Sequence, residues 1–223
     1  MGPDIISPAY EDWYTLRAPV DSEIQGVWGD WDKTLLIATR TNVYRSTDQG
    51  KNWQEVLPFQ SHGMFGIAQY QDTLFTMTGL SNSQFLTSAK NYSVDDGKTW
   101  KAYTRYNPVF EPYRYAGQVN TQFSINPVVN SSGVSYRINQ VFLNWPTATM
   151  GLFETPGIVT SDGRKIDLPQ LHQLRSLYVD SQQRLYISAT DAVCGRGHSG
   201  ESFSFCNSKN GRGVVYIAKK SLL

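Results

Sequence analysis

Two strings in the chain share the pattern S-x-D-x-G-K-x-W. They are Ser46-Thr47-Asp48-Gln49-Gly50-Lys51-Asn52-Trp53 and Ser93-Val94-Asp95-Asp96-Gly97-Lys98-Thr99-Trp100. A carboxylate between a hydroxyl and an ammonium could serve acid–base chemistry. The same residue types meet every demand of a folded hairpin turn: Asp accepts hydrogen bonds from turn N–H groups, Gly supplies a positive φ, and Trp buries its ring against a neighbouring layer. Ser46, Asp48, Gly50, Trp53, Ser93, Asp95, Gly97 and Trp100 are therefore expected to shape turns, not to catalyse.

Other reactive constellations are missing from the sequence. The three histidines, His62, His172 and His198, have no metal-ligand spacing. No G-x-S-x-G elbow or phosphate-binding glycine loop occurs. A pair of distant carboxylates brought together in a cleft could still hydrolyse a glycosidic bond, but nothing in the sequence singles out such a pair. No catalytic residue, metal or cofactor is expected. Cys194 and Cys206 bracket a Gly- and Ser-rich stretch. Two cysteines flanking one loop suit a disulfide and an oxidising compartment.

The residues with the chemistry of a binding surface fall in three stretches. Tyr106, Phe110, Tyr113, Arg114 and Tyr115 crowd one, Trp145 lies in the next, and Arg196, His198 and Phe203 sit between the cysteines. Tyr, Trp and Arg are favoured anchors at protein interfaces, and aromatic rings also stack on sugars. Aromatics folded over each other as a lid are the structural alternative.

These stretches need a scaffold, and its pattern is all-β. Short β-branched runs alternate with turns such as Asp32-Lys33, Gln71-Asp72, Ser132-Gly133 and Asp180-Ser181-Gln182. Four units emerge, roughly 23–58, 64–105, 118–169 and 172–220, and the two S-x-D-x-G-K-x-W strings recur at the spacing of a repeat. In the third unit Gln122–Pro127 is expected to be the first strand. A weaker copy with a shorter turn follows at Gly157–Pro169, which resembles Asn42–Pro58 and likewise ends in Leu-Pro. The last unit lacks a fourth strand, which Trp13–Pro19 at the N-terminus, a segment that resembles Trp53–Pro58, can supply.

The paired strings resemble the Asp-box, or BNR, repeat of sialidases and many secreted β-propellers. That resemblance implies a small all-β propeller with the box between the third and fourth strands of a blade. Four blades closed by the N-terminal strand are expected, and five are the second choice. A single domain over 11–223 follows, with 1–10 as a flexible leader. The resemblance also raises sialidase activity. The arginine motif of those enzymes precedes the first box, whereas Tyr136-Arg137-Ile138-Asn139 follows two boxes and lacks its Pro, so that activity is not expected. In a propeller the insertions at Leu80–Gln84, Tyr106–Gly117, Asn139–Pro156 and Thr190–Arg212 fall on the side opposite the boxes, where long loops commonly carry function.

Composition narrows the partner. Over 223 residues the net charge is +1 and charged residues make up 17%, so no broad field draws nucleic acid. No apolar run reaches the roughly 20 residues of a membrane span. A protein-binding propeller of the bacterial envelope or extracellular space is expected, of inhibitor or immunity type by analogy, and a periplasmic or extracellular location implies a signal removed ahead of this chain. A carbohydrate-binding module is the alternative.

Overall fold

The computed structural model describes residues 10–61, 63–105, 121–143, 151–198, 200–220 and 222. These residues form four antiparallel sheets of four strands each, and a separate two-stranded ribbon. The first sheet is β2 (Ile24–Gly29), β3 (Leu35–Thr39), β4 (Val43–Ser46) and β5 (Gln54–Leu57) in spatial order. The second is β6 (Gly66–Tyr70), β7 (Thr73–Ser81), β8 (Phe85–Ser93) and β9 (Lys101–Ala102). The third is β10 (Val128–Val129), β11 (Ser135–Phe142), β12 (Phe153–Thr160) and β13 (Lys165–His172). Each is a simple meander, the topology of a propeller blade.

The fourth sheet joins the two ends of the chain. Its order is β1 (Trp13–Arg17), β18 (Val214–Ala218), β15 (Leu185–Ala189) and β14 (Leu174–Val179). Strand β1 pairs antiparallel with β18, from Trp13 opposite Ala218 to Arg17 opposite Val214. The N-terminal segment is thus the outer strand of the last blade, as its resemblance to Trp53–Pro58 led us to expect.

The apolar residues sort into layers between blades. Leu16, Ala18, Tyr186, Val215 and Ile217 of the fourth sheet meet Ile24, Val27, Leu35, Ile37 and Tyr44 of the first. On the other face of the first sheet, Leu36, Ala38 and Val43 meet Met64, Ile67 and Leu74 of the second blade. Tyr136, Ile138 and Ile158 of the third sheet pack on Leu177, Ile187 and Tyr216 of the fourth. Burial on both faces explains why β3, β15 and β18 read as continuous apolar runs and not as alternating ones. The inner strands approach closely where β2 passes β6: a Cβ on Gly26 would lie 2.8 Å from the Cα of Gly66.

The third blade departs from the sequence expectation. Gln122–Pro127 is not its inner strand. Thr121–Phe123 forms a 3-10 turn, and the inner strand is the two-residue β10. The reason is that Ile125 bonds elsewhere: its N–H reaches Gln84 O at 2.8 Å, and its C=O accepts from Leu177 N at 2.8 Å. Phe123 and Ile125 pack with Ala68, Phe75, Met77 and Leu86 of the second blade. The segment bridges two blades and does not line a third. Two of the expected insertions are also shorter than drawn. Strands β7 and β8 continue to Ser81 and from Phe85, so Leu80–Gln84 is a tight hairpin end, and much of Asn139–Pro156 belongs to β11 and β12.

The two S-x-D-x-G-K-x-W turns join β4 to β5 and β8 to β9, the third and fourth strands of their blades. Their hydrogen bonds superimpose. Ser46 Oγ donates to Asp48 Oδ1 at 2.8 Å and accepts Gly50 N at 2.9 Å, while Asp48 accepts Asn52 N at 2.9 Å and Asn52 Nδ2 at 2.7 Å. Ser93 and Asp95 repeat this with Gly97 N at 3.0 Å, Thr99 N at 2.9 Å and Thr99 Oγ1 at 2.7 Å. Backbone N–H from Asn52 or Thr99, then the side chain of the same residue, hold each carboxyl at about 2, below its ordinary 3.8. The Thr160–Arg164 turn between β12 and β13 is the shortened third copy, with Thr160 Oγ1 donating to Asp162 Oδ1 and Arg164 Nε donating to Oδ2 at 2.7 Å.

Two expected outcomes follow from this construction. Asp48→Ala and Asp95→Ala should each lower the thermal midpoint by a few degrees near neutral pH. Because the folded carboxyls are held below their unfolded value, that contribution is complete above about pH 4 and fades as the pH falls toward 2. The gap between wild type and variant, followed by circular dichroism, should close over this interval; a constant gap would contradict the bonding role. Deleting residues 1–19 exposes the edge of β18, and the truncated chain should aggregate or fail to fold. A soluble truncation with an unchanged midpoint would rule out closure through β1.

Candidate functional site

An open cleft of about 660 Å³ lies on the side of the blades away from the Asp-box turns. Its walls come from the β7–β8 hairpin end, the β11–β12 hairpin, the β13–β14 junction and the loop between β15 and β18. Leu80, Ile138, Leu152, Phe153, Leu174 and Phe203 give it an apolar lining, and Arg175, Arg196 and Glu154 give it charge.

The β15–β18 loop reaches the cleft because it is stapled and tied. The ribbon β16 (Val193–Gly195) with β17 (Ser204–Phe205) forms its stem. Cys194 and Cys206 are joined there, with Cα atoms 5.0 Å apart. Below the stem, buried Asp191 accepts Asn207 N at 2.7 Å, Asn207 Nδ2 at 3.0 Å, Ser208 Oγ at 2.9 Å and Ala192 N at 2.8 Å. Burial works against the Asp191 charge, yet the bonds from Asn207 and Ser208 outweigh it and keep the carboxyl below its usual range. Asp21, before β2, accepts the N–H groups of Lys209 at 3.2 Å, Asn210 at 3.1 Å and Arg212 at 3.1 Å. Two carboxylates thus fix the base of a loop that contains almost no regular structure.

The stem carries Arg196, His198 and Phe203 to the rim. Glu154 on β12 meets them: its Oε1 lies 3.3 Å from Arg196 Nε and 3.8 Å from His198 Nε2. That oxygen is shut off from solvent and makes no hydrogen bond in good alignment; its charge contact with Arg196 links the β11–β12 hairpin to the Cys loop. Phe203 packs edge-on against Phe205 at 5.1 Å, and Phe142 against Phe153 at 5.7 Å. Phe153, Leu152 and Phe203 remain exposed at 48%, 57% and 46%, an apolar rim beside an ion pair.

The floor is rigid. His172 is buried, with Nδ1–H donating to Thr190 O at 2.9 Å and Nε2 accepting from Tyr216 OH at 2.8 Å. Burial pushes its ring below the ordinary 6.5, which keeps it neutral. Thr155 Oγ1 donates to His172 O at 2.6 Å and accepts Leu174 N at 2.9 Å. His172 is a satisfied structural histidine between the third and fourth blades.

Of the residues singled out from sequence, Arg196, His198 and Phe203 come together in the cleft. Tyr106, Phe110, Tyr113, Arg114, Tyr115 and Trp145 lie outside the described residues, as does His62. The box residues lie in turns at the opposite ends of the strands. Arg137 is exposed on β11. Glu154, Asp191 and Asp21 escaped sequence reading, because a lone acid at a strand start or in a loop has no signature until its partners are placed. Among the described residues no cluster of His, Cys, Asp or Glu is arranged to hold a metal ion, and no helix is long and apolar enough to cross a membrane.

Reduction of the Cys194–Cys206 bridge should release the Thr190–Arg212 loop while the blades persist, since the bridge closes only a short loop. Hydrogen exchange should accelerate at Val193–Phe205 and stay slow in β15 and β18. Equal acceleration in all three would show that the bridge holds the blade itself.

Comparisons with known proteins agree with the turns. The family model for the BNR/Asp-box repeat matches residues 44–55. Among solved structures, the chain is similar to YCF48 bound to D1 peptide, at 11% identity over 84% of this chain and 68% of that one, with a TM-score of 0.30. A structural-genomics protein from Bacteroides thetaiotaomicron VPI-5482 is 10% identical over 94% and 72%, with a TM-score of 0.35. YCF48 from Cyanidioschyzon merolae is 13% identical over 86% and 74%, with a TM-score of 0.26. A search of curated proteins finds no match. The described residues form four-stranded antiparallel meanders packed face to face, and the BNR match falls on the turn from Ser46 to Trp53, so the chain has an all-β, propeller-like fold that carries an Asp-box repeat.

Proposed function

We propose that this propeller is a non-enzymatic protein-binding module that works outside the cytoplasm and engages its partner with the face opposite the Asp boxes. The observation that carries this reading is the convergence on one cleft of the stapled Cys loop and the β11–β12 hairpin, which together present exposed Leu152, Phe153 and Phe203 beside Arg196. An apolar patch next to an arginine is the composition of an interface centre. The loop's exposed disulfide suits an oxidising compartment. Inhibition of a partner by a loop set into its active site is one form such binding takes.

The absence of enzymatic work is part of the proposal. Glu154 is paired with Arg196 and near His198, and the box acids, Asp48 and Asp95, are occupied by turn bonds. His172 spends both ring nitrogens on structure.

Phe203→Ala and Arg196→Ala should each weaken a captured partner by about thirty-fold, the effect of losing one interface anchor, with the blades still folded by circular dichroism. Lys51→Ala and Lys98→Ala, in the box turns, should leave affinity within about twofold of wild type. Calorimetry on the purified pair checks both. Loss confined to the lysine variants would place the interface on the wrong side. Sugar binding on a glycan array that needs Phe203, with no protein captured, would replace the reading with a carbohydrate-binding one.

A further inference from the structure

Among the described residues, part of the inner sheet edge of the third blade is left unpaired inside the cleft. Strand β11 has eight residues, but its inner neighbour β10 covers only Tyr136 and Ser135. Along β11 the backbone groups alternate in direction. Ser135 O accepts Ser161 N at 2.9 Å and Leu143 N donates to Leu152 O at 2.9 Å, both outward to the β12 side. Odd positions therefore face β12 and even positions face inward. Ile138 N is the last inward group with a partner, donating to Asn126 Oδ1 at 2.9 Å. Beyond it the chain that could have continued β10 turns away, because Ile125 is committed to Gln84 and Leu177. Among the described residues nothing bonds the inward N–H and C=O of Gln140 or the inward N–H of Phe142. Ile138 and Gln140 line the cleft.

We infer that the cleft takes an extended segment of a partner polypeptide as an added strand on the inner edge of β11, with an apolar side chain against Leu174, Leu152 and Phe203 and an acidic one at Arg196. The inference rests on the protein-binding reading above and specifies its mode. A strand edge recognises main chain through alternating donors and acceptors, and the side pockets supply specificity. The edge lies in a concavity with apolar walls, where such bonds are sheltered from water. The carboxylate preference follows from Arg196, whose guanidinium meets Glu154 through Nε while the side chain stays 51% exposed. An apolar residue beside an acidic one complements this wall and rim.

The test selects peptides from a random library displayed on phage, using the intact protein with its disulfide formed, and then scans the best peptide by N-methylation of each amide. If strand addition holds, selected peptides pair an apolar residue with an acidic one. They should lose about tenfold or more in affinity to Arg196→Ala. N-methylation should cost about tenfold or more at every second position and little between them. The amides of Gln140 and Phe142 should gain hydrogen-exchange protection on binding. A peptide that needs Arg196 and Phe203 but tolerates every N-methyl group, with Gln140 and Phe142 unprotected, would overturn strand addition and leave the protein-binding reading standing. Failure to select any cleft-dependent peptide, with glycans binding instead, would sink the reading itself. Protection of the two amides in a concentration-dependent dimer without peptide would assign the edge to a second copy of this chain.

Discussion

Each Asp-box glycine rests on an aliphatic side chain of the preceding blade, and the rest of the architecture depends on that contact. A Cβ on Gly50 would fall 2.4 Å from Leu16 Cδ2, and one on Gly97 would fall 2.5 Å from Leu36 Cδ1. Both glycines have positive φ, 76° and 73°, which other residues adopt at a cost. The serine and aspartate bonds hold the turn in that shape, so their role is to deliver a flat backbone surface to a neighbour. The box is therefore a device for joining blades as much as for closing hairpins. In the first blade the neighbour is Leu16 of β1. The N-terminal strand thus completes the last blade and also seats the first.

A second joint lies on the same side, where the inner turns of the first and fourth blades meet. Arg184 bonds Asp180, Asp32 and Asp30, while Tyr186 OH donates to Asp180 Oδ2 at 2.8 Å and accepts Trp31 N at 2.9 Å. Burial opposes the Arg184 charge, but the carboxylates raise its affinity for the proton above the ordinary value. Such a cluster is stable only because every member is matched. The box side is occupied by contacts between blades. The opposite side carries the Thr190–Arg212 loop, whose order comes from Asp191, Asp21 and the disulfide, and whose exposed Arg196 and Phe203 belong to the proposed binding face.

The fold was largely legible from the chain because its local signals agree with its global one. The turn residues of both boxes mark blade positions, Ser161-Asp162-Gly163 marks a third, and Trp13-Tyr14-Thr15-Leu16 declares an outer strand by likeness to Trp53–Leu57. The inner strand of the third blade was misread because Phe123 and Ile125 have the apolar character of strand residues. Their use as a bridge depends on Gln84 and Leu177, which are distant in sequence. The site was legible only by composition. Arg196, His198 and Phe203 stood out as types, but Glu154 acquires meaning from a contact across two blades, and the open edge of β11 is a property of backbone pairing that side-chain chemistry does not encode.

The division between a scaffold side and a binding side is open to a direct measurement. A photoactivatable phenylalanine analogue can replace Phe203 or Leu152 on the loop side, and Lys51 or Lys98 on the box side, in protein expressed in its own cell. After irradiation, the account predicts one discrete cross-linked polypeptide from the Phe203 and Leu152 positions and none from the lysine positions. Cross-linking from Lys51 or Lys98 with silence at Phe203 and Leu152 would contradict it.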